Sequence, residues 1–600
     1  MKKLILLILS TVCLASCSLK ETISNVFSPS KENNYDDVSV TPITEDTSST
    51  SYDKEVEEEN VETPTEYTAT NATTISASGD YYFEGTVNPI NITKKDLVVY
   101  LFFNGVTVTS DAGIALASEK QIELHIVLQN GSSNTITNDF LDKNAVHIKG
   151  DIHISGNGIL NIESKQKNGL KASKDIYISG ENVTLNVTGA NHGISARSIT
   201  VNKSTINVTA KGKDGIQLEC DSDVAAYTTE QGFAHFVDAK ITTDTYGDGI
   251  QAATYIYVSG GNMELTTHGD FIAYSKDLVT GENAEYKTDD FKFVKSGSTY
   301  KRVAKDEIRT LSSSYYAFVQ SAKGLKAGAI EDSDGNDITT GDYEISVAHI
   351  ANIKINSYDD CIHTNYGKVS LDSCNLELDT MDDGVHADYD LGINNASIKI
   401  TSSYEGLEGA NVTINGEKTN IISYSDDDGI NAASDLVSQT NITINAGYLQ
   451  IFALGDGVDA NTALYFKGGT TIVEGPGRGN GSLDSDKIYF QGGIVFACST
   501  SGMTEQMTAT QNTFIYQGTT MKDKALISIT DSSNKTLFSY TLTQSCNQLI
   551  FSHSDLQIGS SYNIMSDSSK ITTISMTGSL TKVGVSGGGQ GGGGGQGWPR

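Results

Sequence analysis

Apolar and polar positions alternate in short runs along most of this chain, as in Ile176-Tyr-Ile-Ser179, Val183-Thr-Leu-Asn-Val187, Ile199-Thr-Val-Asn202, Ile398-Lys-Ile-Thr401 and Ile442-Thr-Ile-Asn445. A period of two with β-branched residues predicts half-buried strands, and no comparable stretch carries the 3.6-residue period of a helix. Between the strands one phrase returns: an acidic or polar residue, Gly, an aliphatic residue, any residue, and usually Ala. Its copies begin at Asn168, His192, Asp214, Asp248, Asp270, Lys323, Asp360, Asp383, Glu405, Asp428 and Asp456, with steps of 24, 22, 34, 22, 53, 37, 23, 22, 23 and 28 residues. A unit in the low twenties marks a solenoid, whose repeats bury their apolar faces only by stacking. Leucine-rich spacing is missing, so the pattern predicts an all-β chain, a right-handed parallel β-helix with two or three strands per turn. The aliphatic and Ala positions should face inward, Gly should permit the corner, and the first and fourth positions should be exposed or shape the turn.

The ends read differently. Lys2, Lys3, an apolar run and Leu14-Ala-Ser-Cys17 look like a lipoprotein signal over residues 1–17, with Cys17 as the lipidated residue. Residues 18–66 are polar and acidic and read as a disordered linker. The β-helix is expected over 67–487. A small antiparallel β unit covering its last coil should occupy 488–583, and a Gly-rich tail 584–600. The expected protein is exported and held at the bacterial cell surface or outer membrane by lipid alone, as a monomer.

A net charge of −32 argues against nucleic acid, since phosphate-binding surfaces need clustered Lys and Arg. Beyond the signal, Cys220, Cys361, Cys374, Cys498 and Cys546 form an odd, scattered set rather than a disulfide framework. Cys361, in place of a repeat Gly, and Cys374 read as small buried fillers. The insertion 276–309 balances eight basic against seven acidic residues, and reads as a solvated excursion or a basic loop over the helix.

In a parallel β-helix equivalent residues lie roughly 4.8 Å apart, so a repeated motif becomes a column. The last coils would then stack Asp360, Asp383, Glu405, Asp428 and Asp456 in one column, and His363, His386, Glu408, Asn431 and Asp459 in another. Neighbouring carboxylates at that spacing repel by about 3–4 kcal/mol at an effective dielectric near 20. Protonation, basic partners or a bound cation could relieve this. Few basic residues fall here, and an oxygen-rich, thiolate-free donor set suits Ca²⁺. The metal candidates are Asp360, Asp382, Asp383, Glu405, Glu408, Asp427, Asp428, Asn431, Asp456 and Asp459. Corner capping by Asp and Asn is the alternative. Tyr358, Tyr389, Tyr404 and Tyr424 flank the columns and are candidates for stacking on sugar rings, or for ordinary packing.

The ordered run from Asp359-Asp-Cys-Ile-His-Thr-Asn365 through Asp382-Asp-Gly-Val-His-Ala-Asp388 and Ser425-Asp-Asp-Asp-Gly-Ile-Asn-Ala432 to Gly455-Asp-Gly-Val-Asp-Ala-Asn461 resembles the bacterial β-helix proteins described as carbohydrate-binding domain-containing proteins. Their fold is similar to that of the family 9 pectate lyases. The resemblance, over roughly residues 70–580, implies a calcium-bearing surface protein that binds acidic or plant cell-wall polysaccharide. A calcium-dependent lyase is one alternative, and it would need a base, for which Lys326 and Lys467 are the candidates; a structural or adhesive solenoid is the other. The lyase calcium pattern Asp-Asp-x-x-Asp is matched only in part, by Asp427-Asp428 with Asn431, Asp382-Asp383 with His386, and Gly455-Asp456 with Asp459.

Overall fold

The computed structural model describes residues 39–48 and 73–584, except 222–223, 270, 276–289, 297–298, 304–309, 313–314, 329, 333–334, 477–479 and 501–505, with backbone alone between 271 and 320. The signal, Cys17, most of the linker and almost all of the Gly-rich tail lie outside the described residues. No helix occurs among those described, so none is long and apolar enough to cross a membrane.

The chain forms a parallel β-helix of about 15 turns. From Leu170 onward three strands make each coil. The motif strands stack as one sheet, pairing Leu170 with Ile194, Ile194 with Ile216, Ile216 with Ile250, and Ile250 with Leu325. The same ladder continues through Ile362, Val385, Leu407, Ile430, Val458 and Leu483. All of these side chains are buried, forming the inner row that the alternation predicts. A second sheet runs through Ile176–Ser179, Ile199–Asn202, Ala234–Val237 and Tyr255–Ser259, and a third through Thr184–Gly189, Thr205–Ala210, Lys240–Thr245 and Asn262–Thr267. No repeat can bury its row without its neighbours, and one apolar cluster accordingly runs from Ile75 to Ile550.

Four expectations change. The Asp270 copy is not a rung: Phe271–Ser275 pairs antiparallel with Tyr315–Gln320, and the motif sheet passes directly from Ile250–Ala252 to Leu325–Ala327. Residues 268–322 form their own compact unit, with further antiparallel strands at Asp290–Ser296 and Thr310–Ser312. Coiling also continues past 487. Ile488–Phe490, Ile494–Ser499 and Met507–Ala509 still stack in parallel, and the antiparallel pairing starts where Cys546–Ser552 joins Ile494–Ser499 and Thr513–Met521. Beyond it lies a four-stranded antiparallel sheet, Leu526–Asp531, Thr536–Thr541, Ser561–Ser566 and Ser569–Ser575, packed around a separate apolar cluster. The alternating pattern is the same for both arrangements, which is why the boundary falls later than the motif suggests.

Part of the supposed linker is held in place. Residues 39–48 lie along the coils, with Ile43 buried and its N–H donating to Asn375 Oδ1 at 2.6 Å, while Asn375 Nδ2 donates to Ile43 O at 3.2 Å. Thr47 N–H donates to Ser373 Oγ at 3.1 Å, and Asp46 meets His349 Nδ1 at 2.7 Å. An apolar Ile amid polar residues gives this stretch an anchor that composition averages away.

Finally, the motif Gly residues do not sit in the left-handed region. A Cβ at Gly215 would lie 2.6 Å from Gly249 O, at Gly384 2.5 Å from Gly406 O, and at Gly406 2.3 Å from Gly429 O. At these three positions glycine is required because successive coils approach too closely for a side chain, not because the corner needs positive φ.

Candidate functional site

The corner before each motif strand is built from a repeated side-chain-to-backbone bond. Asp214 Oδ1 accepts from Asp248 N–H at 2.8 Å, Asp248 Oδ1 from Lys323 N–H at 2.8 Å, and Asp360 Oδ1 from Asp383 N–H at 3.1 Å. Asp383 Oδ1 accepts from Glu405 N–H at 3.2 Å, and Asp428 Oδ1 from Asp456 N–H at 2.6 Å. The capping alternative is therefore realised: of the two options for the first position it shapes the turn, with Asp248, Asp360, Asp383 and Asp456 buried. Capping uses one oxygen of each carboxylate. At Asp248, Asp360 and Asp383 the second oxygen faces the fourth-position column, which the register aligns as Lys326, His363, His386, Glu408, Asn431, Asp459 and Asp484. The two columns together make a stripe down one edge of the helix.

Its upper part carries its own cations, correcting the reading that basic groups are too few. Lys323 stands at an acid's place in the first column, and its buried Nζ lies 2.8 Å from both Asp359 Oδ1 and Asp360 Oδ2. Asp359, Asp360 and Asp382 present carboxylate oxygens within 4.8 Å of one another. His363 Nδ1 is 2.7 Å from Asp360 Oδ2. Burial, with the nearby Lys323 and His386, holds His363 below the usual imidazole range. His386 is the opposite case. Burial works against its charged form, but Glu408 and Asp383, at 2.8 and 3.1 Å from Nδ1, raise it well above that range. Burial pushes the Asp383 carboxyl up to about 7 despite its His386 bond.

Below Glu408 the fourth-position column continues as Asn431, Asp459 and Asp484, with no basic residue at a column position among the described residues. Glu405 is raised well above the carboxylate range by burial and by the charges of Glu408 and Asp383, and it accepts a bond from Asn431 Nδ2 at 2.9 Å. Asn431 Oδ1 is buried without a hydrogen-bond partner. Asp428 is pushed up to about 8 by burial and the charges of Asp427, Asp459 and Asp456. Asp456 is pushed up to about 6 by burial, with Asp484 and Asp427 adding to the effect. Asp428, Asp456 and Asp459 bring carboxylate oxygens within 4.8 Å of one another. This donor set is wholly oxygen, and the orphaned Asn431 Oδ1 lies on the rung next to Asp459, so the residues fit a hard cation such as Ca²⁺.

The remaining predicted residues separate. Tyr404 is 42% exposed and bonded to Asp427, so it borders the acidic end with a face toward solvent. Tyr424 is instead buried, stacked on Phe452 at 4.5 Å, and is packing rather than a sugar platform. Burial pushes the Tyr358 hydroxyl up to about 12, and Tyr389 is half-buried. Lys326 Nζ is 3.6 Å from Asp248, and Lys467 sits over the Tyr465 ring, 5.3 Å from its centre, outside both columns. Lys326 is five rungs above Asp459, roughly 24 Å at about 4.8 Å per rung. Neither lysine joins the acidic cluster. Sequence reading passed over Lys323 as a cation, although it opens a copy of the repeated phrase. It also passed over an aromatic ladder, Tyr100, His125, His153 and Tyr177, stacked at 4.2, 4.4 and 4.7 Å on the second sheet.

Fold and site together define a parallel β-helix with a carboxylate stripe along one corner. A family model described as carbohydrate-binding domain-containing protein matches residues 69–384, 325–479 and 374–519, well over half of the chain, and the chain belongs to this family. A relative of the same description from Acetivibrio thermocellus is 28% identical over 124 residues, which is 18% of this chain and 43% of the relative. The chain thus spans less than half of that relative's length. A solved structure described as the polysaccharide lyase-like protein from C. thermocellum, a gadolinium derivative, is similar at 24% identity over 32% of this chain and 81% of that one, with a TM-score of 0.29.

Proposed function

We propose that this protein is an exported, lipid-anchored polysaccharide binder in which Ca²⁺ at Asp428, Asp456 and Asp459 joins the stripe to acidic groups of the glycan. The observation that carries the reading is the convergence of three carboxylates, two of them held protonation-prone by burial and by neighbouring acids. A divalent ion bound there relieves the repulsion and, with six to eight coordination positions to fill, keeps some for ligand oxygens. Tyr404 beside Asp427 offers an apolar face next to those positions. Family membership supports carbohydrate as the ligand class. Binding without bond cleavage is favoured because both candidate lysine bases are engaged away from the cluster.

The test is retention on polygalacturonate in affinity electrophoresis, with calcium and with chelator. Retention should require calcium and be lost in an Asp456→Asn/Asp459→Asn variant, and no unsaturated ultraviolet-absorbing product should form. Equal retention in chelator, or in the double variant, overturns the calcium bridge; product release overturns the non-catalytic reading.

A further inference from the structure

The upper part of the stripe holds a second donor set of different chemistry. His386 Nδ1 lies 3.1 Å from Asp383 Oδ2 and 2.8 Å from Glu408 Oε2, and all three atoms fall within 4.8 Å of one another. A first-row divalent ion bound at about 2.0–2.2 Å to imidazole nitrogen and carboxylate oxygen sets neighbouring ligand atoms about 3 Å apart. The His386 separations of 2.8 and 3.1 Å are close to that spacing, whereas a calcium site would favour oxygens throughout.

Three further features orient the set. His386 Nε2 faces Asp388 Oδ1 at 3.3 Å, an outer carboxylate of the kind that fixes the tautomer and leaves Nδ1 as the ligating atom. Asp383 Oδ1 is held by the Glu405 amide at 3.2 Å, so only its Oδ2 is presented to the histidine. The His363 ring covers His386 from the coil above, centroid to centroid 4.6 Å, with its own Nε2 at 2.7 Å from Asn365 Oδ1. Charge points the same way. Asp383, Glu405 and Glu408 converge on a single imidazole, whose protonation offsets one negative charge, while a divalent ion offsets two. The coil above is excluded, because Asp360 Oδ2 already carries the Lys323 ammonium.

We infer that Asp383, His386 and Glu408 form a site for a borderline divalent metal of the Zn²⁺ class, distinct from the all-oxygen cluster below it. Binding displaces the Nδ1 proton to solvent, while Nε2–H stays on Asp388. With three protein ligands, the remaining positions take water or a ligand oxygen.

The full chain, stripped of metal and held in millimolar calcium, is titrated with Zn²⁺ by calorimetry and with Co²⁺ by visible absorption. One equivalent should bind in spite of the calcium. His386→Gln should weaken it by about 100-fold, Asp388→Asn by about 10-fold through the outer contact, and Asp459→Asn not at all. Zn²⁺ binding that is absent, equal in wild type and His386→Gln, or abolished by Asp459→Asn overturns the site. Asp388→Asn, on a partly exposed residue, keeps the question answerable should His386→Gln fail to fold: unchanged affinity in that variant counts against the assignment.

Discussion

From Lys323 to Glu408 the stripe carries basic side chains of its own, Lys323 at Asp359 and Asp360 and His386 at Asp383 and Glu408, whereas from Asp428 to Asp484 the column positions among the described residues are acids and Asn431. Backbone geometry does not distinguish the two regions. In both, one carboxylate oxygen caps the next coil's amide. The capping bond fixes where the acids stand, and the fourth-position residue fixes how their charge is met: His386 in one region, Asp459 in the other. A solenoid corner can thus change the donor set it presents, from imidazole and carboxylate to oxygen alone, by one residue per coil.

The sharpest way to break this contrast is Lys323→Met. It leaves Asp359 and Asp360 buried without their shared ammonium, and removing one partner of a buried ion pair costs about 3–5 kcal/mol. Urea unfolding should show a loss of that order in the presence or absence of calcium. A change below about 1 kcal/mol would mean that the upper part of the stripe does not depend on its own cation.

The lower part should respond to metal rather than to mutation of a base. Calcium at about 100 times its dissociation constant stabilises the folded chain by about 2.7 kcal/mol. Thermal melting should therefore rise with calcium and fall with chelator. Asp459→Asn should remove the response while raising the melting temperature of the metal-free chain, since it deletes a repelling charge. A calcium response that survives Asp459→Asn would place the ion elsewhere.

Much of this was legible in sequence because the period of the phrase is also the period of the coil. The inner row from Leu170 to Leu483, the acid and fourth-position columns and the burial of Cys361 and Cys374 follow from it. What could not be read was which groups meet across coils. Lys323 appears in sequence as a deviant copy of the motif, and only stacking on Asp359 and Asp360 makes it their counter-ion. Glycine's reason was also hidden, since a close carbonyl and a left-handed corner call for the same residue. Asp270-Phe-Ile-Ala273 fits the phrase locally yet pairs antiparallel, because an isolated copy holds no information about its neighbour.

A smaller effect tests the ligand side. Tyr404→Ala should weaken polysaccharide binding by roughly tenfold, within the 0.5–1.5 kcal/mol range of an aromatic contact, with little change in stability. Tyr424→Ala should do the reverse, losing the Phe452 stack and leaving affinity intact. Affinity electrophoresis paired with thermal melting separates the two; equal loss of binding in both variants would detach recognition from the exposed ring.

The smallest effect concerns Glu474, a buried acid that needs neither cation nor metal. Its oxygens accept from Tyr540 Oη at 2.7 Å, Thr543 N–H at 2.9 and 3.1 Å, and Gln544 N–H at 3.1 Å, tying the penultimate coils to the antiparallel cap. Burial nevertheless raises its carboxyl above the ordinary value of 4.5, the hydrogen bonds offsetting only part of the desolvation. A folded-state value above the unfolded one means that the folded chain binds more protons in that window. This group's contribution to stability is therefore full below pH 4.5 and declines as pH rises through the raised value. Glu474→Gln keeps the neutral shape and should flatten that decline, at a net cost of about 1 kcal/mol or less from imperfect bonding. Melting curves across pH 4 to 7 on wild type and Glu474→Gln check it. An unchanged slope would show that the donors offset burial in full, and that a fully bonded acid at a coil junction carries no pH dependence of its own.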